Sequence, residues 1–401
     1  MLFDKQKKLV KKALEDTSNG TLNLMYMALD KIPEEVRNMT HLERIYLNGN
    51  CIKKIAKDEL PPNVKVLNLR RNKIESLEDC YIPESVVTLD LSNNQLTDFD
   101  GSSLAKIKVL LLNHNNIRNF KFPPNIQSCS VSNNCLTSLE DFPDTLLSLV
   151  AINNCITTLP EINDKLEIIN VSQNALIEFP TFPDSVKEIY ISHNINFSVL
   201  DKPFPSSLNI FKAYESGIDE ISAQLPAGLE LLDLSGNNLS EVPNLPLCVV
   251  SVDLSNNQLV ELSDIPDSVK YLDVSHNRLS EIPKDLLEDK KLEIIYDNNF
   301  IHVETNKGSG VEPLKLRDAG DSVGDSVSGS RYNRHSGYYN NGWNNFDSYN
   351  IRNRSYNHTY RNGQNWSWNR RGFQDSFKSK RAKVDNPHYV SHKFKDKVIV
   401  V

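Results

Sequence analysis

An asparagine returns in the same local setting along most of this chain. It stands at Asn50, Asn72, Asn94, Asn115, Asn134, Asn154, Asn174 and Asn194, then at Asn237, Asn257 and Asn277. Around each lies one pattern, L-x-x-L-x-L-x-x-N-x-L-x-x-L, with an aliphatic side chain in the L slots. Leu42, Ile45, Leu47, Asn50, Ile52 and Ile55 fit it, as do Val64, Leu67, Leu69, Asn72, Ile74 and Leu77. Met27 takes the Asn slot of a degenerate first copy, Ser216 that of an internal copy, and Asn299 that of the last. About 14 units follow one another, about 19–23 residues apart. Such a period means a stack of like units and excludes a conventional globular core.

Each slot has a physical reason. The L-x-L stretch predicts a short strand, whose alternate side chains point to one side. Strands of successive units pair in parallel about 4.8 Å apart, and the aliphatic columns merge into one core. The Asn turns the chain out of the strand, and its amide satisfies backbone groups that the turn leaves unpaired. One unit cannot bury its apolar side alone; stacking does. The remaining residues of a unit are often Pro-rich, as in Pro180-Thr181-Phe182-Pro183 and Pro243-Asn244-Leu245-Pro246. Proline removes a donor and clashes inside a helix, so the back of the stack is expected to be extended, with short 3-10 turns. Leu9, Val10, Ala13 and Leu14 predict an amphipathic helix that covers the open edge of the first unit.

Units such as PAGLELLDLSGNNLSEVPNLP (Pro226–Pro246) and PDSVKYLDVSHNRLSEIP (Pro266–Pro283) resemble the short bacterial-effector type of leucine-rich repeat. That class includes the repeat modules of the invasion plasmid antigen H and outer protein M effectors. The resemblance covers roughly residues 20–303. It implies an α/β-type solenoid, a leucine-rich-repeat horseshoe with a concave parallel sheet and a mostly extended or 3-10 convex side. It does not bring the ubiquitin-ligase activity with it. The ligase members carry a helical C-terminal domain with a nucleophilic Cys, whereas here Cys248 is the last cysteine and lies within the repeats. The domain reading is therefore a capping helix at 1–19, repeats at 20–303, a Gly/Ser/Asp-rich flexible linker at 304–330, and a disordered basic tail at 331–401.

The x positions of each strand point to the concave side, and they vary. Early units present Arg44, Tyr46, Arg70 and Arg71; middle units Val109, Leu111, Val150, Ile152 and Ile168; later units Tyr190, Ile210, Tyr214 and Tyr271. Asp90, Asp233, Asp253 and Asp273 share one strand position. Exposed Tyr and Arg on a rigid sheet suit a protein partner. The expected partner-binding residues are Tyr46, Leu111, Ile152, Tyr190, Tyr214 and Tyr271. Scattered surface apolar residues without a partner are the plainer alternative.

Catalysis is not expected. There is no Ser/His/Asp arrangement, phosphate-binding glycine loop or carboxylate pair in a catalytic setting, and no cofactor or metal site is assigned. His114, His193 and His276 each precede a turn Asn, several units apart, and read as turn residues. Cys135 and Cys155 hold one position in adjacent units and read as buried thiols. The cysteines form no CxxC pair, which favours reduced thiols.

Charge divides the chain. Residues 1–325 carry a formal −17 and residues 326–401 +10, within a total of −7. The basic part holds every Trp and 11 Asn between residues 331 and 377. Arg352, Arg354, Arg361, Arg370 and Arg371, interleaved with Trp366 and Trp368, suit RNA or single-stranded DNA, since Arg pairs with phosphate and aromatics stack on bases. A solvated, self-associating tail is the alternative. Lys380, Arg381 and Lys383 fit a minimal nuclear-import cluster. No apolar run approaches the ~20 residues that span a bilayer, and the N-terminus lacks a signal-like stretch. The expected location is intracellular: cytoplasmic, with nuclear entry if the basic cluster works. The expected partners are a protein and, through the tail, nucleic acid, with no membrane.

Overall fold

The computed structural model describes residues 2–78 and 80–301. Fourteen short strands, from Thr21–Asn23 to Glu293–Ile295, pair in one parallel sheet in chain order. Pairing is in register throughout: Ile45 lies beside Leu67, Leu67 beside Leu89, and Leu89 beside Leu110. In-register pairing stacks the middle residue of every strand into one inward column. From Leu22 to Leu272 the residues of that column are essentially fully buried. A parallel column follows at Leu47, Leu69, Leu91 and Leu112, and a third at Ile52, Ile74, Leu96 and Ile117, all at 0% exposure. The chain is thus a leucine-rich-repeat solenoid.

The asparagines tie one turn to the next by the same set of bonds. In Asn94 the amide Nδ2 donates to Leu69 O of the preceding unit at 3.0 Å and to Leu91 O of its own at 2.9 Å. Its Oδ1 accepts from Ile74 N at 3.1 Å. Asn115 repeats the pattern one turn on, with Leu91 O, Leu112 O and Leu96 N. A planar amide with donors and an acceptor matches these orphaned backbone groups, which explains the fixed letter. Where Ser216 replaces Asn, the hydroxyl donates to Ile191 O and Tyr214 O, and Asn237 of the next turn accepts from both Ser216 N and Ile218 N.

The residue before each Asn has a left-handed backbone. Arg71, Asn93, His114, Asn133, His193 and His276 lie at φ between 55° and 57°. This region tolerates Asn and His better than most residues. It explains why His114, His193 and His276 occur where they do. Gly49 and Gly236 occupy the same slot, and at Gly49 a Cβ would run into the ring of Tyr26.

Behind the sheet the chain is mostly extended. It makes a 3-10 turn at Glu34–Asn38 and a short helix at Lys284–Glu288. Two further ladders of two strands form here: Asp98–Asp100 with Asn119–Lys121, and Val199–Leu200 with Glu220–Ile221. Phe99 and Phe120 are the paired middle residues of the first ladder. Phe99 stacks on Phe120 at 5.7 Å, and Phe179 packs on Phe204 and Phe211 at 5.3 and 6.2 Å. A helix, Leu2–Glu15, leads into the first strand, and its Val10, Ala13 and Leu14 pack against the core. Among the described residues, no helix is long and apolar enough to cross a membrane.

Candidate binding face

The outward residues of the sheet fall into three columns. The first residue of each strand makes one, including Arg44, Val109, Ile168 and Tyr271. The third residue makes the next, in which Tyr46, Leu111 and Tyr190 stand in register with Asp90, Asp233, Asp253 and Asp273. Two residues past the end of each strand comes the third, with Arg70, Ile152 and Tyr214. Strand residues in the outer columns are mostly half-buried, against full burial of the residue between them. The six sequence-predicted binding residues all reach this face.

They do not form one cluster. Tyr190 lies on one strand and Tyr214 just past the end of the next, and Tyr271 lies three strands further, ~14 Å along the sheet. Leu111 and Ile152 sit in an apolar middle stretch with Val109, Val150 and Ile168. Tyr46 is eleven strand spacings from Tyr271, ~50 Å away. A partner that touches all six must be extended or large.

Several of these side chains are held in place. Tyr190 donates its hydroxyl to Glu188 Oε2 at 2.8 Å, and burial, with that carboxylate, pushes its phenol well above the ordinary tyrosine range. The Tyr214 ring meets His193 edge to face at 4.9 Å. His193 Nδ1 in turn lies 3.2 Å from Glu215 Oε2. Burial and the carboxylates of Asp273, Asp253 and Glu293 push Tyr271 up to about 12. All three rings are therefore neutral at physiological pH and act as hydrogen-bonding apolar surface.

The aspartates are built into the backbone. Oδ1 of Asp233, Asp253 and Asp273 accepts the hydroxyl of the serine two residues on, at 2.8, 2.7 and 2.7 Å. The same oxygens accept the backbone N–H of those serines. Burial, together with Asp233 and Asp273 on either side, pushes the Asp253 carboxyl up to about 6. Among the described residues, no group of three His, Cys, Asp or Glu is arranged to hold a metal ion.

The basic end is made differently. Arg44 Nε donates to Thr21 Oγ1 at 3.0 Å and Nη2 to Asn19 O at 2.9 Å. Arg70 Nε donates to Asn93 Oδ1 at 3.1 Å. Arg71, expected on the strand face, lies instead in the left-handed turn slot, with Nη1 3.4 Å from the Tyr26 hydroxyl. Burial, then Arg70 and Arg71, lowers the pKa of His114.

Two further expectations meet the structure. Cys135 and Cys155 occupy one position in adjacent turns but are exposed rather than buried. They directly follow the turn Asn, where the side chain points out and the next residue, Leu136 or Ile156, points in. The nucleic-acid residues Arg352, Arg354, Arg361, Trp366, Trp368, Arg370 and Arg371, and the import cluster Lys380, Arg381 and Lys383, lie outside the described residues. Sequence reasoning missed a cleft of about 830 Å³ away from the sheet face, lined by Leu77, Tyr81, Ile82, Asp98, Asp100 and Leu104 among others.

Comparison with known proteins agrees with this architecture. The family model for the leucine rich repeat matches residues 85–107, 228–249 and 268–289. Toll-like receptor 6 of Mus musculus is 34% identical over 93 residues, 21% of this chain and 12% of the receptor. Toll-like receptor 2 type-1 of Gallus gallus is 33% identical over 125 residues, 29% of this chain and 16% of the receptor. The chain thus matches less than a fifth of the length of these curated relatives. Among solved structures, the leucine-rich effector protein YopM of Yersinia pestis superposes with a TM-score of 0.58 at 24% identity, over 73% of this chain and 93% of YopM. A leucine-rich-repeat protein of Leptospira interrogans gives 0.53 at 20% identity, over 73% and 94%. A chain of the LRIM1/APL1C complex gives 0.55 at 22% identity, over 65% and 52%.

Proposed function

We propose that this leucine-rich-repeat chain is a non-catalytic scaffold that binds a protein partner on the outward face of its fourteen-stranded sheet. The observation that carries the reading is the contrast within each strand. The inward residues are aliphatic in nearly every turn, whereas the outward ones bring apolar, aromatic and charged groups onto a rigid surface. Tyrosines held by neighbours, as Tyr190 is by Glu188 and Tyr214 by His193, lose little rotamer freedom on contact. A chain of the same fold sits in the LRIM1/APL1C complex, which supports the assembly reading by likeness of fold.

The test is capture with full-length protein carrying Tyr190→Ser, Tyr214→Ser and Tyr271→Ser together. The expected result is loss of the captured partner with little change in melting temperature. Undiminished capture would place the site elsewhere.

A further inference from the structure

The outward face changes character along the stack. Its early strands carry Arg44 and Arg70, with Arg71 at the adjoining turn. Its middle strands carry Val109, Leu111, Val150, Ile152 and Ile168. Its late strands carry Asp233, Asp253 and Asp273, one per strand on three consecutive strands in register. Carboxylates one strand spacing apart repel each other, since ~5 Å is well within the screening length of physiological salt. The serine bonds orient these carboxylates without neutralising them. Lys212 stands in register beside Asp233; beyond it the columns of this face place no arginine or lysine on the strands of Asp253 and Asp273.

Resting on the face-binding reading, we propose that the partner presents an extended, charge-polarised polypeptide segment, with its basic part on Asp233, Asp253 and Asp273, its apolar part on the middle strands, and its acidic part near Arg44 and Arg70. Opposite charge at the two ends fixes the direction in which the segment lies across the strands. From the Arg70 strand to the Asp253 strand is nine spacings, ~43 Å, which an extended segment of about 13 residues spans at ~3.3 Å each. The basic part gains most, because it relieves repulsion within the aspartate column as it makes its own contacts.

The chain supplies a control for removing the charge without removing the fold. Asn68 and Asn170 occupy the aspartate column on other strands, and their Oδ1 atoms accept from Arg70 N and Ser172 N at 3.0 and 3.1 Å. Asp233→Asn, Asp253→Asn and Asp273→Asn therefore keep the backbone bond and lose only the charge.

The experiment titrates full-length protein, at low salt, with a synthetic peptide of about 18 residues, sized to this span. The peptide has a lysine-rich end, a Leu/Val middle and a glutamate-rich end, with a photo-crosslinker at the lysine end. The expected result is crosslinking to the strands between Ile210 and Asp273. The triple Asp→Asn variant should weaken binding by roughly tenfold or more, and Arg44→Gln with Arg70→Gln by less. Crosslinks on the outward face that ignore the peptide's polarity, with no effect of Asp→Asn, overturn the charge pattern and leave face binding standing. Crosslinks at the Tyr81 cleft, or no binding at low salt, overturn this proposal, while the tyrosine variants still judge face binding separately. Self-association that Asp→Asn abolishes gives the face to a second copy of the chain and likewise overturns the proposal.

Discussion

Ile45, Leu67, Leu89 and Leu110 stand side by side in one column, and so do their near neighbours Tyr46, Asn68, Asp90 and Leu111. The first column repeats a single kind of side chain; the second holds a phenol, an amide, a carboxylate and an alkyl chain. Both run along the same hydrogen-bonded strands, so the backbone does not distinguish them. What differs is the surroundings. The inward column is closed by the turns before and after it, which holds it to a buried apolar group of the right volume, aliphatic in every turn but those of Cys129 and Phe211. The outward column is open on one side, and the fold asks little of its residues beyond the backbone N–H that an Asp or Asn accepts in several strands. Variation is therefore free to serve recognition on one side and is suppressed on the other.

The comparison breaks first at the inward column. Leu254 is fully buried, so Leu254→Asp places an unpaired charge in the core and should cost about 4 kcal/mol or more. Thermal unfolding of the full chain would show a large fall in melting temperature or failure to fold.

Loss of the asparagine ladder comes next. Asn257 donates to Leu234 O, Leu254 O and Ser255 O and accepts from Leu239 N. Asn257→Ala leaves buried backbone groups without partners and should cost about 3 kcal/mol, seen as a lower midpoint in urea. Asn257→Ser should recover part of that loss, because Ser216 already serves in this slot.

An outward change should act with the opposite sign. The Asp253 carboxyl sits near 6 in the folded chain, above the ordinary value near 4 that it takes when unfolded. Between those values the unfolded chain gives up its proton first, so stability falls as pH rises from about 4 to 6 and then levels off. Asp253→Asn should leave the melting temperature unchanged near pH 4 and raise it near pH 7.5, by roughly 1–2 kcal/mol of stability. A variant less stable at both pH values would mean that the carboxylate supports the fold.

The smallest effect on stability is expected for Tyr190→Ser, Tyr214→Ser and Tyr271→Ser. The half-exposed Tyr190–Glu188 bond contributes little, about 0–1 kcal/mol, while partner capture should disappear.

The same contrast governs how much was legible beforehand. The aliphatic columns and the asparagine ladder were plain in the sequence, because each turn restates one packing problem and one set of unpaired backbone groups. Alternation also placed Tyr46, Leu111, Ile152, Tyr190, Tyr214 and Tyr271 on the outward face. It failed at Arg71, since the strand ends before the turn slot, where φ is positive. The expectation for Cys135 and Cys155 rested on the usual burial of free thiols, and it failed because the residue after the asparagine points out. The ladders behind the sheet were unreadable for a different reason: their pairing has no counterpart in the repeat pattern, although Phe99, Phe120 and Phe179 each take its last apolar slot, five residues after the asparagine. Which outward residues meet a partner is not written in the period, because the fold asks of this face little more than an Asp or Asn that accepts a backbone N–H.

Hydroxyl-radical footprinting of the full chain, with and without a captured partner, tests the division most directly. Tyr46, Leu111, Tyr190, Tyr214 and Tyr271 report on the outward columns, and Tyr81, Ile195 and Leu247 report on exposed surface away from them. The account predicts protection among the first group, strongest at Tyr190, Tyr214 and Tyr271, with the second group unchanged. Protection of Tyr81, Ile195 or Leu247 while the outward tyrosines stay reactive would contradict it.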